Sequence, residues 1–203
     1  MSKYTSIFTY LQELFPVAKT ELHYTTEFQL LVAVMLSAQT TDTQVNKTTA
    51  KLFQIVKKPK DLVDLLEQFT ESIRSVNLYK TKGRHIFTTA QMLVKQKNKI
   101  PETMSELMIF PGVEKTAKVI LHILYNQVIA VDTHVHRVAN RLIVKTNSPL
   151  QTSKLLEKRI PKQYKDIAHD TIVLFRYHCT ARKPKCEDCK LNSICPRFKQ
   201  QNK

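Results

Sequence analysis

The sequence predicts an all-α protein, and three observations carry that prediction. Glycine occurs only 2 times in 203 residues, against roughly 14 at average usage, which leaves few tight turns and favours long helices. Apolar residues recur at spacings of three and four along most of the chain, and no segment reads as a convincing strand. With 42% hydrophobic residues the chain can bury a real core, in one large domain or two small ones. No internal repeat or low-complexity linker divides it, so boundaries have to be read from helix breaks.

In EFQLLVAVMLSAQ, residues 27 to 39, Phe28, Leu31, Val32, Met35 and Leu36 follow the helical period, and further apolar residues fill the rest of the circumference. This pattern predicts a helix buried on all sides. The next helix continues through Val45, Thr49, Leu52 and Phe53, with Asp42 placed to cap it. KPKDLVDLLEQF, TESIRSVNLYK and TKGRHIFTTAQMLVKQKN follow as shorter helical pieces, with Pro59 near the start of the first. PETMSELMIF places Pro101 at a helix start and Glu102 in its first turn, and stops at Pro111-Gly112. KTAKVILHILYN is then a helix with Val119, Ile120, Ile123 and Leu124 on one side. After VIAV, an Asp132 cap opens a helix whose stripe is Val135, Val138, Ala139 and Leu142. Helical stretches at 151 to 160 and 165 to 177 complete about ten helices.

Lysine and arginine number 32 against 17 acidic residues, a formal charge of +15. An excess of that size points to a polyanionic partner, nucleic acid first. A membrane surface fits less well, because no single amphipathic segment holds the basic residues. No apolar run is long enough to span a bilayer, and MSKYTSIFTYLQELFP lacks the charged region, apolar core and cleavage site of a secretory signal. A cytoplasmic protein is expected, with no membrane partner.

FPGVEKTAKVIL joins two helices through Gly112, which tolerates backbone angles that other residues do not. The N–H groups opening the second helix then lack internal partners and are available to a phosphate. Lys115 falls in the first turn of that helix. Its ordinary pKa of about 10.4 makes it an ammonium at neutral pH, whereas the helix dipole, neighbouring cations and desolvation favour the free amine, which can form a Schiff base. Taken alone, such a lysine in a basic chain is a solvated surface charge. Asp132, at a helix start after an apolar segment, is first of all a cap; a carboxylate there can also stabilise positive charge on a sugar or move protons.

Cys179, Cys186, Cys189 and Cys195 lie within the last 25 residues as C-x6-C-x2-C-x5-C. In a reducing compartment such a cluster points to metal before disulfides. Four thiolates complete a tetrahedral zinc site or hold one iron-sulfur cluster. The wide first gap and single tight pair suit the cluster better than a zinc ribbon. Arg182, Lys183 and Lys185 surround Pro184 in the first loop, a basic finger suited to DNA phosphates.

Together LLVAVMLSAQTTDTQVNK, NLYKTKGRHI, FPGVEKTAKVIL, AVDTHVHRVANRL and CTARKPKC, in that order, resemble endonuclease III, the helix-hairpin-helix DNA glycosylase and abasic-site lyase family. The resemblance implies two helical domains flanking a DNA-binding cleft. One spans residues 20–127 and contains the hairpin at about 102–124. The other combines 1–19 with 128–203 and ends in a [4Fe-4S] loop at 179–195. It implies Lys115 as nucleophile and Asp132 as catalytic carboxylate. By the same resemblance Gln39 fills the space left by an extruded base and Leu78 wedges the opposite strand, while Gly112 and Val113 bind DNA through the hairpin. The implied partner is duplex DNA carrying damaged bases or abasic sites, and the protein is expected to act as a monomer near the nucleoid. Related adenine glycosylases carry a catalytic glutamate in the helix matching LLVAVML, where this chain has no acid. It also departs from the Leu-Pro-Gly-Val-Gly-Arg-Lys-Thr-Ala pattern: one residue and the second glycine are missing, and Glu114 would repel a phosphate and raise the pKa of its neighbour. The rival reading is therefore a DNA-binding protein of the same fold with weak or no catalysis.

Overall fold

The structure is a computed structural model that describes residues 2–114, 116–126 and 128–201. Among the described residues there are twelve α-helices and no strand. The chain divides into two compact units, one of Met1–Thr20 with Val128–Lys203, the other of Glu21–Gln127. No helix among the described residues is long and apolar enough to cross a membrane.

The Glu21–Gln127 unit is organised around α2 (Glu27–Ser37), in which every residue from Phe28 to Leu36 is buried. The Thr26 hydroxyl caps it by accepting from the Gln29 N–H. Gln29 is the one polar residue in that run, and its amide is fully engaged: Oε1 accepts from the Thr25 N–H and hydroxyl, while Nε2 donates to the Phe53 and Val56 carbonyls. Around α2 pack α3 (Asp42–Ile55), α6 (Tyr79–Lys95) and α8 (Ala117–Tyr125), with α4 (Pro59–Asp64) and α5 (Leu66–Ser72) against α6 and the short α7 (Met104–Leu107) against α8. Val45, Thr49, Leu52 and Phe53 form the buried stripe of α3, as their spacing predicts.

Several boundaries differ from the sequence reading. The cap of α3 is Thr41, whose hydroxyl accepts from the Gln44 N–H, and Asp42 is the first helical residue. TESIRSVNLYK is not one helix: α5 ends at Ser72, and α6 begins only after Leu78, which takes a left-handed conformation. Pro101 and Glu102 precede α7, which starts behind a Thr103 cap. On α8 the buried residues are Ala117, Ile120, Leu121 and His122, with Val119, Ile123 and Leu124 only half-buried.

The other unit contains α1 (Lys3–Leu14), α9 (Thr133–Leu142), α10 (Pro149–Arg159), α11 (Lys165–Leu174) and α12 (Pro196–Gln201). Its core gathers Ile7, Phe8 and Leu11 of α1, Val135, Val138, Ala139 and Leu142 of α9, and Ala168 and Ile172 of α11. Helix α9 packs on α10, α11 and α12, so the element opened by Asp132 is central to this unit. The helix expected to run to residue 177 stops at Leu174 and tightens into a 3-10 turn, Phe175–Tyr177.

Candidate functional site

Gly112 has φ +77, and a Cβ at that position would stand 2.5 Å from Nδ1 of His85. Two independent constraints therefore demand glycine there, a left-handed backbone and a close approach to α6. Val113 beside it is a core residue, 0% exposed, with its N–H on the Phe110 carbonyl at 3.4 Å, so it offers no open group to DNA, contrary to the expectation from sequence. The N–H groups around the hairpin are less free than the sequence suggests. Those of Thr116 and Ala117 donate to the Val113 carbonyl at 2.9 and 2.7 Å, because α8 begins at Ala117 after a turn. The Gly112 N–H donates to Oε1 of Glu114 at 3.4 Å, so the chain's own carboxylate lies where an anion would be held. Lys115 lies outside the described residues.

Gln39 and Leu78 are both exposed and both in left-handed backbone, with φ 60 and φ 59. The residues around them are tightly bonded. Lys82 is buried in α6, and its ammonium donates to the Leu36 carbonyl at 2.7 Å, the Ala38 carbonyl at 2.5 Å and the Thr40 hydroxyl at 3.2 Å. Desolvation pulls its pKa down to about 8. The Asn77 amide donates to the Gln39 carbonyl at 2.8 Å.

Asp132 caps α9, its Oδ1 accepting from the Val135 N–H at 2.7 Å. The extended segment before it is tied by two neighbours. Ser153 of α10 donates to the Ile129 carbonyl, and buried His169 of α11 donates through Nδ1 to the Ala130 carbonyl at 2.8 Å. The half-buried carboxylate is thus held at a fixed place at the end of a well-packed helix.

All four cysteines line one pocket with Leu142, Phe175 and Arg141, and none is in a disulfide. Arg141, almost fully buried, donates to the Cys179, Thr180 and Ala181 carbonyls and to Cys179 Sγ at 3.3 Å. Burial pushes the Cys186 and Cys189 thiols up, and the charge of the other cysteines adds to it, partly opposed at Cys189 by the Leu191 N–H. Four thiolates gathered here require compensating positive charge, which bound iron provides. The donor set fits an iron-sulfur cluster. Arg182, Lys183 and Lys185 are exposed on the loop that Arg141 fastens.

Comparison with known proteins bears on the whole chain. Residues 32–162 match the model of the HhH-GPD superfamily base excision DNA repair proteins, and residues 179–195 match the iron-sulfur binding domain of endonuclease III. The endonuclease III of Bacillus subtilis is 38% identical over 198 residues, 94% of this chain and 90% of the relative. That of Buchnera aphidicola subsp. Baizongia pistaciae is 42% identical over 190 residues, 91% and 88% of the two. The chain belongs to the endonuclease III family. A trapped covalent intermediate of an endonuclease III with DNA has the same fold at TM-score 0.88 and 39% identity, covering 100% of both chains. Membership carries the class of activity, DNA glycosylase and abasic-site lyase of base excision repair, and a [4Fe-4S] cofactor on the four cysteines.

Within that endonuclease III frame, Lys82, Asn77, His169 and Arg141 are the residues that sequence reasoning missed. Lys82 and Arg141 are 2 of 32 basic residues, and nothing local marks them as buried. Their one signal is position: each lies on a helix face among core residues, Lys82 beside Gly83 and Ile86, Arg141 between Val138 and Leu142.

Proposed function

We propose that the protein removes oxidised pyrimidines from duplex DNA and cuts the strand 3' to the abasic site, acting as a monomer in the cytoplasm. Backbone charge brings it to DNA, and the damaged nucleotide is extruded to be reached. The Lys115 amine attacks C1', and the glycosidic bond breaks with its electron pair leaving on the base. Ring opening then gives an imine between Nζ and C1'. Loss of a proton from C2' expels the 3' phosphate by β-elimination, and water releases the lysine. Asp132 stabilises the positive charge developing on the sugar and assists the proton transfers. Gln39 occupies the space left by the nucleotide and Leu78 wedges the opposite strand. The cluster fastens the loop bearing Arg182, Lys183 and Lys185, which bind phosphates together with the hairpin at Gly112.

The observation that carries this reading is Asp132. Its carboxylate is fixed by the α9 cap and by a segment tied from both α10 and α11, in a chain whose motifs and family agree. The test is nicking of a duplex with one abasic site in the presence of a chelator. Wild type should cleave, Lys115→Ala should lose cleavage by about a thousandfold or more, and Asp132→Asn should lose most of it while keeping the helix cap. Full cleavage by Lys115→Ala contradicts the proposal. Tight binding without cleavage by the wild type supports the rival, a binding protein, which the Glu114 contact on the Gly112 N–H favours.

A further inference from the structure

Two turns from distant parts of the Glu21–Gln127 unit carry Gln39 and Leu78, and each is unfavourable by itself. Both residues sit in left-handed backbone that glycine would adopt without strain, and Leu78 leaves 64% of its surface exposed. Such conformations persist only where the surroundings over-determine them. Here the surroundings are two polar side chains from one segment. Lys82 places its ammonium on Leu36, Ala38 and Thr40, on both sides of Gln39. Its own N–H bonds the Leu78 carbonyl at 3.0 Å. Asn77, next to Leu78, donates to the Gln39 carbonyl across 38 residues of sequence. The Lys82 ammonium therefore holds the Gln39 turn from α6, the helix that Leu78 opens, and the Asn77 amide closes the link between the two turns. Burying an ammonium is costly, and an apolar side chain would fill the same space without that cost. What an apolar residue cannot do is fix three acceptors of one turn.

We propose that Lys82 and Asn77 are positioning residues that lock the two turns into one rigid jaw, so that Gln39 and Leu78 enter the duplex as a unit. The inference rests on the reading of Gln39 and Leu78 given above. It makes loss of the lock equivalent to loss of the inserted side chain, although Lys82 itself is buried.

The experiment places 2-aminopurine beside an abasic-site analogue and follows its fluorescence on rapid mixing with wild type, Gln39→Ala, Asn77→Ala, Lys82→Met and the double variant Lys82→Met/Gln39→Ala. Melting curves check that each variant is folded, and Asn77→Ala, at an exposed position, keeps the test open if Lys82→Met is not. Gln39→Ala and Lys82→Met should each slow the unstacking signal about tenfold or more, with Asn77→Ala smaller in the same direction, while Lys82→Met and Asn77→Ala leave affinity for undamaged duplex unchanged. The double variant should be no slower than the slower single. Singles whose effects multiply in the double variant show independent roles and overturn the proposal. Wild-type kinetics in Lys82→Met and Asn77→Ala, beside a slow Gln39→Ala, overturn it while leaving the reading of Gln39 intact. Wild-type kinetics in Gln39→Ala sink that reading itself.

Discussion

Two irregular segments of the same unit solve the problem of unpaired backbone differently. The turn at residues 36–40 is held from far away in sequence, by an ammonium with three acceptors and an amide on the Gln39 carbonyl. The hairpin at 110–117 is held mostly by short-range backbone bonds, with a glycine pressed against His85 as its long-range contact. The first arrangement resists motion because breaking it strands a buried charge. The second depends on one backbone conformation and on a carboxylate contact at 3.4 Å, long for a hydrogen bond. Rigidity in this unit therefore follows buried donors, not the amount of regular structure.

The comparison breaks most visibly at Gly112. Gly112→Ala combines left-handed strain with a clash on His85, and should destabilise the protein by about 2–4 kcal/mol, read by denaturant unfolding. In a His85→Ala background the clash with the ring should be relieved, leaving the strain and a tight contact with Cβ of residue 85 at 3.0 Å. An equal loss in both backgrounds would show that the close approach is unimportant.

Lys82→Met comes next, at about 1–3 kcal/mol near neutral pH, since it leaves acceptors unpaired but relieves a buried charge. Its pH dependence sharpens the point. The folded pKa of about 8 lies below the unfolded value of 10.5, so between them the unfolded chain holds a proton that the folded chain has released. The stability of wild type relative to Lys82→Met should rise as pH increases through that window and be lost as pH falls through 8. A flat difference from pH 7 to 10 would contradict a desolvated ammonium. Thr41→Ala, which removes the α3 cap just beyond this turn, should cost about 1 kcal/mol with little pH dependence.

The smallest effect belongs to Glu114. Glu114→Gln removes a negative charge from the hairpin while keeping its shape, and should tighten duplex binding about two- to fivefold at low salt, with the gain shrinking at higher salt. Unchanged affinity in a low-salt titration would mean that the carboxylate does not compete with DNA.

The same contrast explains what could be read in the sequence. Helices α2, α3 and α9 are legible because a stripe of each repeats at 3.6 residues and that stripe is buried. The iron-sulfur centre was legible because four thiolates at that spacing have few other uses. Sequence alone places the cap of α3 one residue late because Thr41 and Asp42 are both good capping types, and only the observed bond to Gln44 decides. The break before α6 was missed because Leu78 adopts a conformation that composition assigns to glycine or asparagine. The occupied N–H groups of the hairpin were missed because they depend on where α8 starts, and that is set by packing of Val113 and Ala117 in the core. The lock around Gln39 left no trace because a buried lysine looks like any other lysine until its partners, more than 40 residues away, are placed.

The central claim is covalent chemistry at a single amine. Borohydride reduction during turnover on an abasic duplex, followed by proteolysis and mass spectrometry of the cross-linked peptide, tests it most directly. The account predicts one deoxyribose-derived adduct on Lys115. An adduct on another lysine or on the N-terminal amine, or efficient strand cleavage with no adduct at all, would contradict it.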